Sequence, residues 1–338
     1  MPHTSINQDP ELGSEQPTTS PAEVRRRRDV IVPGFRTRPP FRIWLRHHWL
    51  DIATQLLCLL TAFLIYSFAP LVLPQYFPLY PGIERTEWGR AYGKPYMAEY
   101  ITTLVSAVVS FAAPAVIMGA VSLWGTREFE DGNAALIGLG YALATGTLFQ
   151  SFIKIFIGGL RPHFLSVCDP LIPPPIPGFA SPGPSNRLYY MASQVCTGDA
   201  NKVKEAQMSF PSGHSCAAFA GFGFLGLWLN AKFKIFGSGR RSKFPNTPKS
   251  VEKQDTETGG GNGGNQTQGR IQQWKLVMFA APWCIAILLA GSKVRDEWHH
   301  PIDVLFGALV GTAFAHMAFR MVYRSVYDWR DNHIPMER

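Results

Sequence analysis

Apolar residues in this chain are gathered into blocks, and most charged residues lie between them. Six blocks reach, or nearly reach, the about 20 residues needed to cross a ~30 Å hydrocarbon core. They are Asp51–Leu73, Tyr100–Leu123, Ala134–Ile157, Ser215–Ala231, Trp274–Gly291 and Ile302–Tyr323. The fourth and fifth are the short ones. Backbone inside lipid finds no water, so each span is expected to be a helix that satisfies its own N–H and C=O groups. Core helices of a soluble protein are the bland alternative. Recurrent small residues (Gly138, Gly140 and Gly146, or Ala217, Ala218, Ala220 and Gly221) favour the membrane, where they let helices approach closely. Pro114 and Pro282 fall inside blocks and are expected to bend their helices. The fold class is therefore all-α: a polytopic membrane protein with six transmembrane helices.

Composition and charge add an orientation. Only 17% of the residues are charged, with a net charge of +8. A basic balance admits nucleic acid, and Arg25–Arg28 taken alone fits a nuclear signal. With six alternating spans, however, most of the 32 Lys and Arg residues fall on the face that carries both termini. Cytoplasmic loops hold such an excess, so both termini are expected in the cytoplasm, where Arg25–Arg28 meets anionic lipid, and no nucleic-acid partner is expected. The acidic loop Gly125–Asn133 adds no support.

The segments differ in kind. Residues 1–49 are polar, Pro-rich and arginine-rich, do not resemble a cleavable signal peptide, and are expected to be a disordered basic cytoplasmic stretch. A six-span domain covers residues 50–325, and residues 326–338 form a cytoplasmic tail. Within the domain, residues 232–273 form a flexible cytoplasmic loop containing the glycine run Gly259–Gly264 and the sequon Asn265-Gln266-Thr267. On this topology the sequon stays unmodified. The loop Gly158–Phe210 contains the Pro-rich stretch Pro173–Pro184 but is expected to be ordered in part. Of five cysteines, Cys58, Cys216 and Cys284 lie in spans as packing residues. Cys168 and Cys196 share one outside loop, where oxidising conditions permit a bridge; two free thiols are the alternative.

Three polar clusters end apolar blocks, and the topology sends all three to the face opposite the termini. Lys154 lies inside a span, where a cation is costly and marks a functional site unless it snorkels to the interface. Arg161 would face the same pocket if that helix continued, offering a planar fork suited to phosphate oxygens. Ser212-Gly213-His214 opens the fourth span. A helix N-terminus there supplies free amides for an anion, and His214 is placed to protonate a leaving oxygen. An ordinary Pro-Ser cap reads the same way. His299 and Asp303 are spaced i to i+4, so the carboxylate can hold one ring nitrogen and leave the other to attack. A structural hydrogen bond is the alternative, and the neighbouring His300 fits the spacing less well. Lys293 or Arg295 could add a third cation.

Together, Lys154-x6-Arg161-Pro162, Pro211-Ser212-Gly213-His214 and Ser292-Lys293-x5-His299-x3-Asp303 resemble the three signature motifs of the type 2 phosphatidic acid phosphatase superfamily. The stretches Leu160–Pro170 and Lys202–Glu205 resemble its lipid phosphate phosphatase branch, which includes fungal diacylglycerol pyrophosphate phosphatases. The resemblance runs from the first span to the sixth. It implies hydrolysis of phosphatidic acid, lysophosphatidic acid or diacylglycerol pyrophosphate in a vacuolar, endomembrane or plasma membrane, with the site lumenal or extracellular. It implies His299 as nucleophile forming a phosphohistidine, Asp303 orienting it, and His214 as acid. Lys154, Arg161, Ser212, Gly213 and Lys293 would bind phosphate. No metal or other cofactor is expected, since the motifs offer one carboxylate–histidine pair and no acidic cage for magnesium. The partner is a phospholipid in the bilayer, and the reading admits a homo-oligomer. Headgroup phosphotransfer, or an inactive lipid-phosphate-binding protein, are the alternatives; a vanadium haloperoxidase shares the pattern remotely. One position departs from the family: Lys293 stands where arginine is usual, and Arg295 is a candidate to compensate.

Overall fold

Six helices of spanning length organise the described residues. The computed structural model describes residues 32–171, 189–236 and 272–336. The long helices are α1 (Phe41–Phe68), α2 (Thr103–Ala120, continued by the π-helical Val121–Thr126), α3 (Phe129–Phe156), α4 (Gly213–Phe233), α5 (Gln273–Arg295) and α6 (Pro301–Val322). The protein is thus an all-α polytopic membrane protein, one helix to each expected span. α1 departs most from expectation, beginning at Phe41 instead of Asp51 and ending at Phe68 instead of Leu73. Pro40 precedes its first turn, and Ala69, before Pro70, is extended because proline disfavours the α region in the residue ahead of it. Residues 41–49, read from sequence as part of a disordered segment, are therefore helical, and Pro33–Thr37 form a 3-10 turn. Arg25–Arg28, the Pro-rich stretch, the glycine run and the sequon lie outside the described residues.

α4 is the hub. It packs against α2, α3, α5 and α6, whereas α1 packs chiefly on α3. Correspondingly, 72% of the apolar window of α4 is buried and 6% of that of α1, which turns Leu56, Leu57 and Leu60 outward. Trp228 and Phe224 of α4 form a core with Leu139, Met118 and Phe319. Among lipid tails, close packing between helices drives association more than hydrophobicity does. α4 and α6 also approach closely. A Cβ on Gly307 would lie 2.4 Å from the Ser212 carbonyl oxygen, and one on Gly311 2.3 Å from that of Cys216. These two glycines, four residues apart on α6, bring its first turn beside the first turn of α4.

At that same end of the bundle the loops fold into a cap. Strands β1 (Tyr76–Pro78) and β2 (Tyr189–Met191) pair antiparallel, with Phe77 opposite Tyr190. Phe77, Leu79, Ile83, Phe164 and Val203 fill its small core, and Cys168 is joined to Cys196 by a disulfide. At the opposite end Asp131 is fully buried. It forms an ion pair with Lys232 and accepts hydrogen bonds from Ser122 Oγ at 3.0 Å and Tyr323 OH at 3.1 Å. This network ties α2, α3 and α4 to the residue that follows α6. The chain beyond α6 turns back, with Lys234 donating to Asn332 Oδ1 at 3.0 Å.

Candidate active site

Lys154 sits in the last turn of α3, 6% exposed, and donates to the Met208 carbonyl at 3.0 Å. The helix does not continue to Arg161, so the condition for both cations to share one helix face is not met. It stops at Phe156, and Gly158 and Gly159 take positive φ values of 64° and 104°, a turn that non-glycine residues rarely make. The turn bonds Gly158 and Gly159 to Phe210 and Ser209, so the second motif lies directly against the first. Arg161 still reaches the cavity. Its guanidinium lies 4.8 Å above the Trp298 ring, with Nη2 3.3 Å from Glu205, while Nε and Nη1 are buried without hydrogen-bond partners among the described residues.

Ser212 is the N-cap of α4, its hydroxyl accepting from Ser215 N–H at 3.5 Å, and its own N–H donates to the Asp303 carbonyl at 3.1 Å. Gly213 and His214 follow in the first turn. Asp303 lies in the first turn of α6. One oxygen, Oδ2, accepts from Ser209 Oγ at 2.5 Å and from His300 N–H at 3.0 Å, and stands 3.7 Å from His299 Nδ1. That last distance is an ion-pair separation, longer than a hydrogen bond. Burial holds the His299 imidazole well below the usual histidine range; Asp303 opposes this, and the Arg161 and Lys154 cations reinforce it. A neutral ring nitrogen is a nucleophile. The neighbouring His300 turns away, with Nε2 3.2 Å from the Leu160 carbonyl.

These groups converge on a cavity of about 310 Å³. Lys154, Arg161, Gly213, His214 and His299 line it, and the two imidazole rings are 6.5 Å apart, centre to centre. Leu59, Ala62 and Phe63 of α1 give it an apolar wall. Ser212 and Asp303 stand behind the lining. Lys293 does not line the cavity either: its side chain is fully buried, 3.6 Å from Glu99 and 3.9 Å from Asp296, and it bonds the Ile101 carbonyl. Arg295 points outward over the Tyr100 ring at 4.7 Å and, like Lys293, is not part of the lining. The geometry therefore gives no support to compensation by Arg295.

A family model described as the PAP2 superfamily matches residues 135–327, more than half of the sequence and all three motifs. The chain belongs to the PAP2 superfamily. Among curated proteins it is 34% identical to a PA-phosphatase related-family protein of Dictyostelium discoideum, over 71% of this chain and 62% of that protein. It is 33% identical to lipid phosphate phosphatase 1 of Arabidopsis thaliana, over 58% and 47% respectively. With diacylglycerol pyrophosphate phosphatase 1 of Saccharomyces cerevisiae it shares 27% identity over 57% and 53%. The matched region thus spans about half to three-fifths of these relatives' length. No solved structure gives a significant match.

Four residues of this PAP2 site escaped the sequence reading. Trp298 supports the Arg161 fork, Glu205 pairs with it, Ser209 holds Asp303, and Glu99 stands at the cavity beside His214. Glu205 belongs to the stretch Lys202–Glu205 already singled out, and Trp298 and Ser209 adjoin motif residues. Glu99 alone lies far from any motif. Its one signal is a lone carboxylate just before the second apolar block.

Proposed function

We propose that the protein is a lipid phosphate phosphatase that hydrolyses phosphatidic acid, lysophosphatidic acid or diacylglycerol pyrophosphate through a phosphohistidine on His299, without a metal. The observation that carries this reading is a pair of histidines facing each other across a cavity that also holds two buried cations and an apolar wall. Lys154 and the free donors of Arg161 would neutralise phosphate oxygens, joined by the amides of the first turn of α4. The free nitrogen of His299 attacks phosphorus; the P–O bond to the lipid breaks, and the departing oxygen takes a proton from His214. Water then attacks the phosphohistidine, passing a proton back to His214. The P–N bond breaks, releasing phosphate and restoring His299. Positioned charge of this kind is the main source of phosphoryl-transfer catalysis. Among the described residues, no three His, Cys, Asp or Glu side chains gather into a cluster of metal ligands. The apolar wall fits acyl chains reaching the site from the bilayer.

Two features support a lumenal or extracellular site with cytoplasmic termini. The Lys/Arg excess lies on the terminus side. The Cys168–Cys196 disulfide lies in the cap on the cavity side, where an oxidising compartment would form it.

The test is phosphate release from phosphatidic acid in detergent micelles, with and without a chelator. Activity that survives the chelator and is lost in His299→Ala is expected. Unchanged activity in that variant would remove the nucleophile from the account.

A further inference from the structure

His214 has a carboxylate of its own. Glu99 belongs to the segment that leads into α2, outside all three motifs, and its Oε1 stands 3.9 Å from His214 Nε2. Its other oxygen accepts the Thr103 N–H at 2.8 Å, so the first turn of α2 fixes the carboxylate. The end of α5 grips the same segment. Lys293 lies 3.6 Å from Glu99 and donates to the Ile101 carbonyl, and Asp296 accepts the Tyr100 N–H at 2.7 Å. Glu99 lines the cavity, and His214 Nε2, buried beside it, has no hydrogen-bond partner among the described residues.

We propose that Glu99 is the positioning residue for His214, forming with it a second carboxylate–histidine pair that faces Asp303–His299 across the cavity, and that Lys293 serves to hold Glu99. This rests on the phosphatase reading above. A carboxylate beside an imidazole orients the ring and stabilises its protonated form, which a general acid needs. When the His299–phosphorus bond forms and the lipid P–O bond breaks, His214 gives its proton to the lipid oxygen and Glu99 keeps its charge. The lysine then needs no explanation as a weakened phosphate ligand. A point charge suffices to hold one carboxylate oxygen and one carbonyl, whereas the arginine fork earns its place only on a bidentate partner.

The experiment uses the full-length protein in detergent micelles with two substrates of identical acyl chains, phosphatidic acid and diacylglycerol pyrophosphate. The first expels an alcohol oxygen that needs a proton, and the second expels a phosphate that leaves as an anion. For Glu99→Gln, kcat/KM for phosphatidic acid is expected to fall about 10- to 100-fold and that for the pyrophosphate less than about 3-fold, since general acid catalysis is worth about 10²–10⁴-fold. Glu99→Asp restores most of the ratio, and Lys293→Met shifts it in the same direction as Glu99→Gln. Each variant is scored on its monodisperse fraction. If Glu99→Gln yields none, the ratio in Lys293→Met decides. An equal fall on both substrates, or no fall on either, overturns the assignment. A parent protein inactive on both would instead sink the phosphatase reading, as would full activity in His299→Ala.

Discussion

Arg161 shows how one side chain can be fixed and still be left with something to bind. Trp298 supports its flat face, Glu205 takes one nitrogen, and Nε and Nη1 remain buried without partners among the described residues. Buried donors left unbonded are costly, so in the proposed role a phosphate oxyanion meeting them would recover that cost on binding. Arg161→Lys keeps the charge and loses both the fork and the ring contact. Its kcat/KM for phosphatidic acid is expected to fall about 10²–10³-fold, the usual loss for one oxyanion donor; a fall under about 3-fold would contradict the placement. His299 makes a separate prediction. Its lowered protonation range means that the ring stays neutral as pH falls through about 6.5, where an exposed histidine takes up its proton. Histidine-selective NMR in micelles, with His299→Ala identifying the resonance, is expected to show no titration of this ring between about pH 7.5 and 5.5. A midpoint near 6.5 would show that the ring is not desolvated as described.

At the scale of elements, the α4–α6 contact sets the distance between His214 and His299, the two histidines of the proposed mechanism. Gly311→Ala would drive a methyl group into the Cys216 carbonyl. It is expected to cost about 1–3 kcal/mol of stability, the usual range for overpacking, and to lower activity by displacing His299 and Asp303 from His214. Gly291→Ala, with nothing within 4 Å of the added carbon, is the matched control. Thermal unfolding and phosphate release on both variants check this. Asp131→Asn separates stability from chemistry: breaking a buried ion pair is expected to cost about 3–5 kcal/mol, with activity per folded molecule unchanged. These contacts also mark what the sequence could tell. Six apolar blocks and three polar clusters were legible because lipid forces helices and because phosphate chemistry needs recognisable groups. The start of α1 was not, since Arg42, Arg46 and two histidines interrupt the apolar run on a helix that hydrogen bonding nevertheless extends. The Gly158–Gly159 turn and the Glu99 segment were hidden for another reason: both depend on residues more than 40 positions away, which no local pattern records.

At the scale of the whole molecule, cap, cavity and disulfide share one end of the bundle, and the Asp131 network lies at the other. If the cavity faces the lumen or exterior, a membrane-impermeant reductant applied on that side should open Cys168–Cys196, read as a maleimide mass shift. The sequon at Asn265 should carry no glycan, so endoglycosidase should leave mobility unchanged. Opening of the bridge only from the cytoplasmic side, or a glycan at Asn265, would reverse the orientation. In the proposed mechanism, phosphate passes through His299. It is tested most directly by mixing enzyme with phosphatidic acid, quenching in alkali within one turnover, and locating the modified residue by mass spectrometry. The expected result is an acid-labile phosphate on the peptide bearing His299, present in the parent and missing in His299→Ala. Turnover with no phosphorylated histidine at any time point, or a phosphate that persists in His299→Ala, would contradict it.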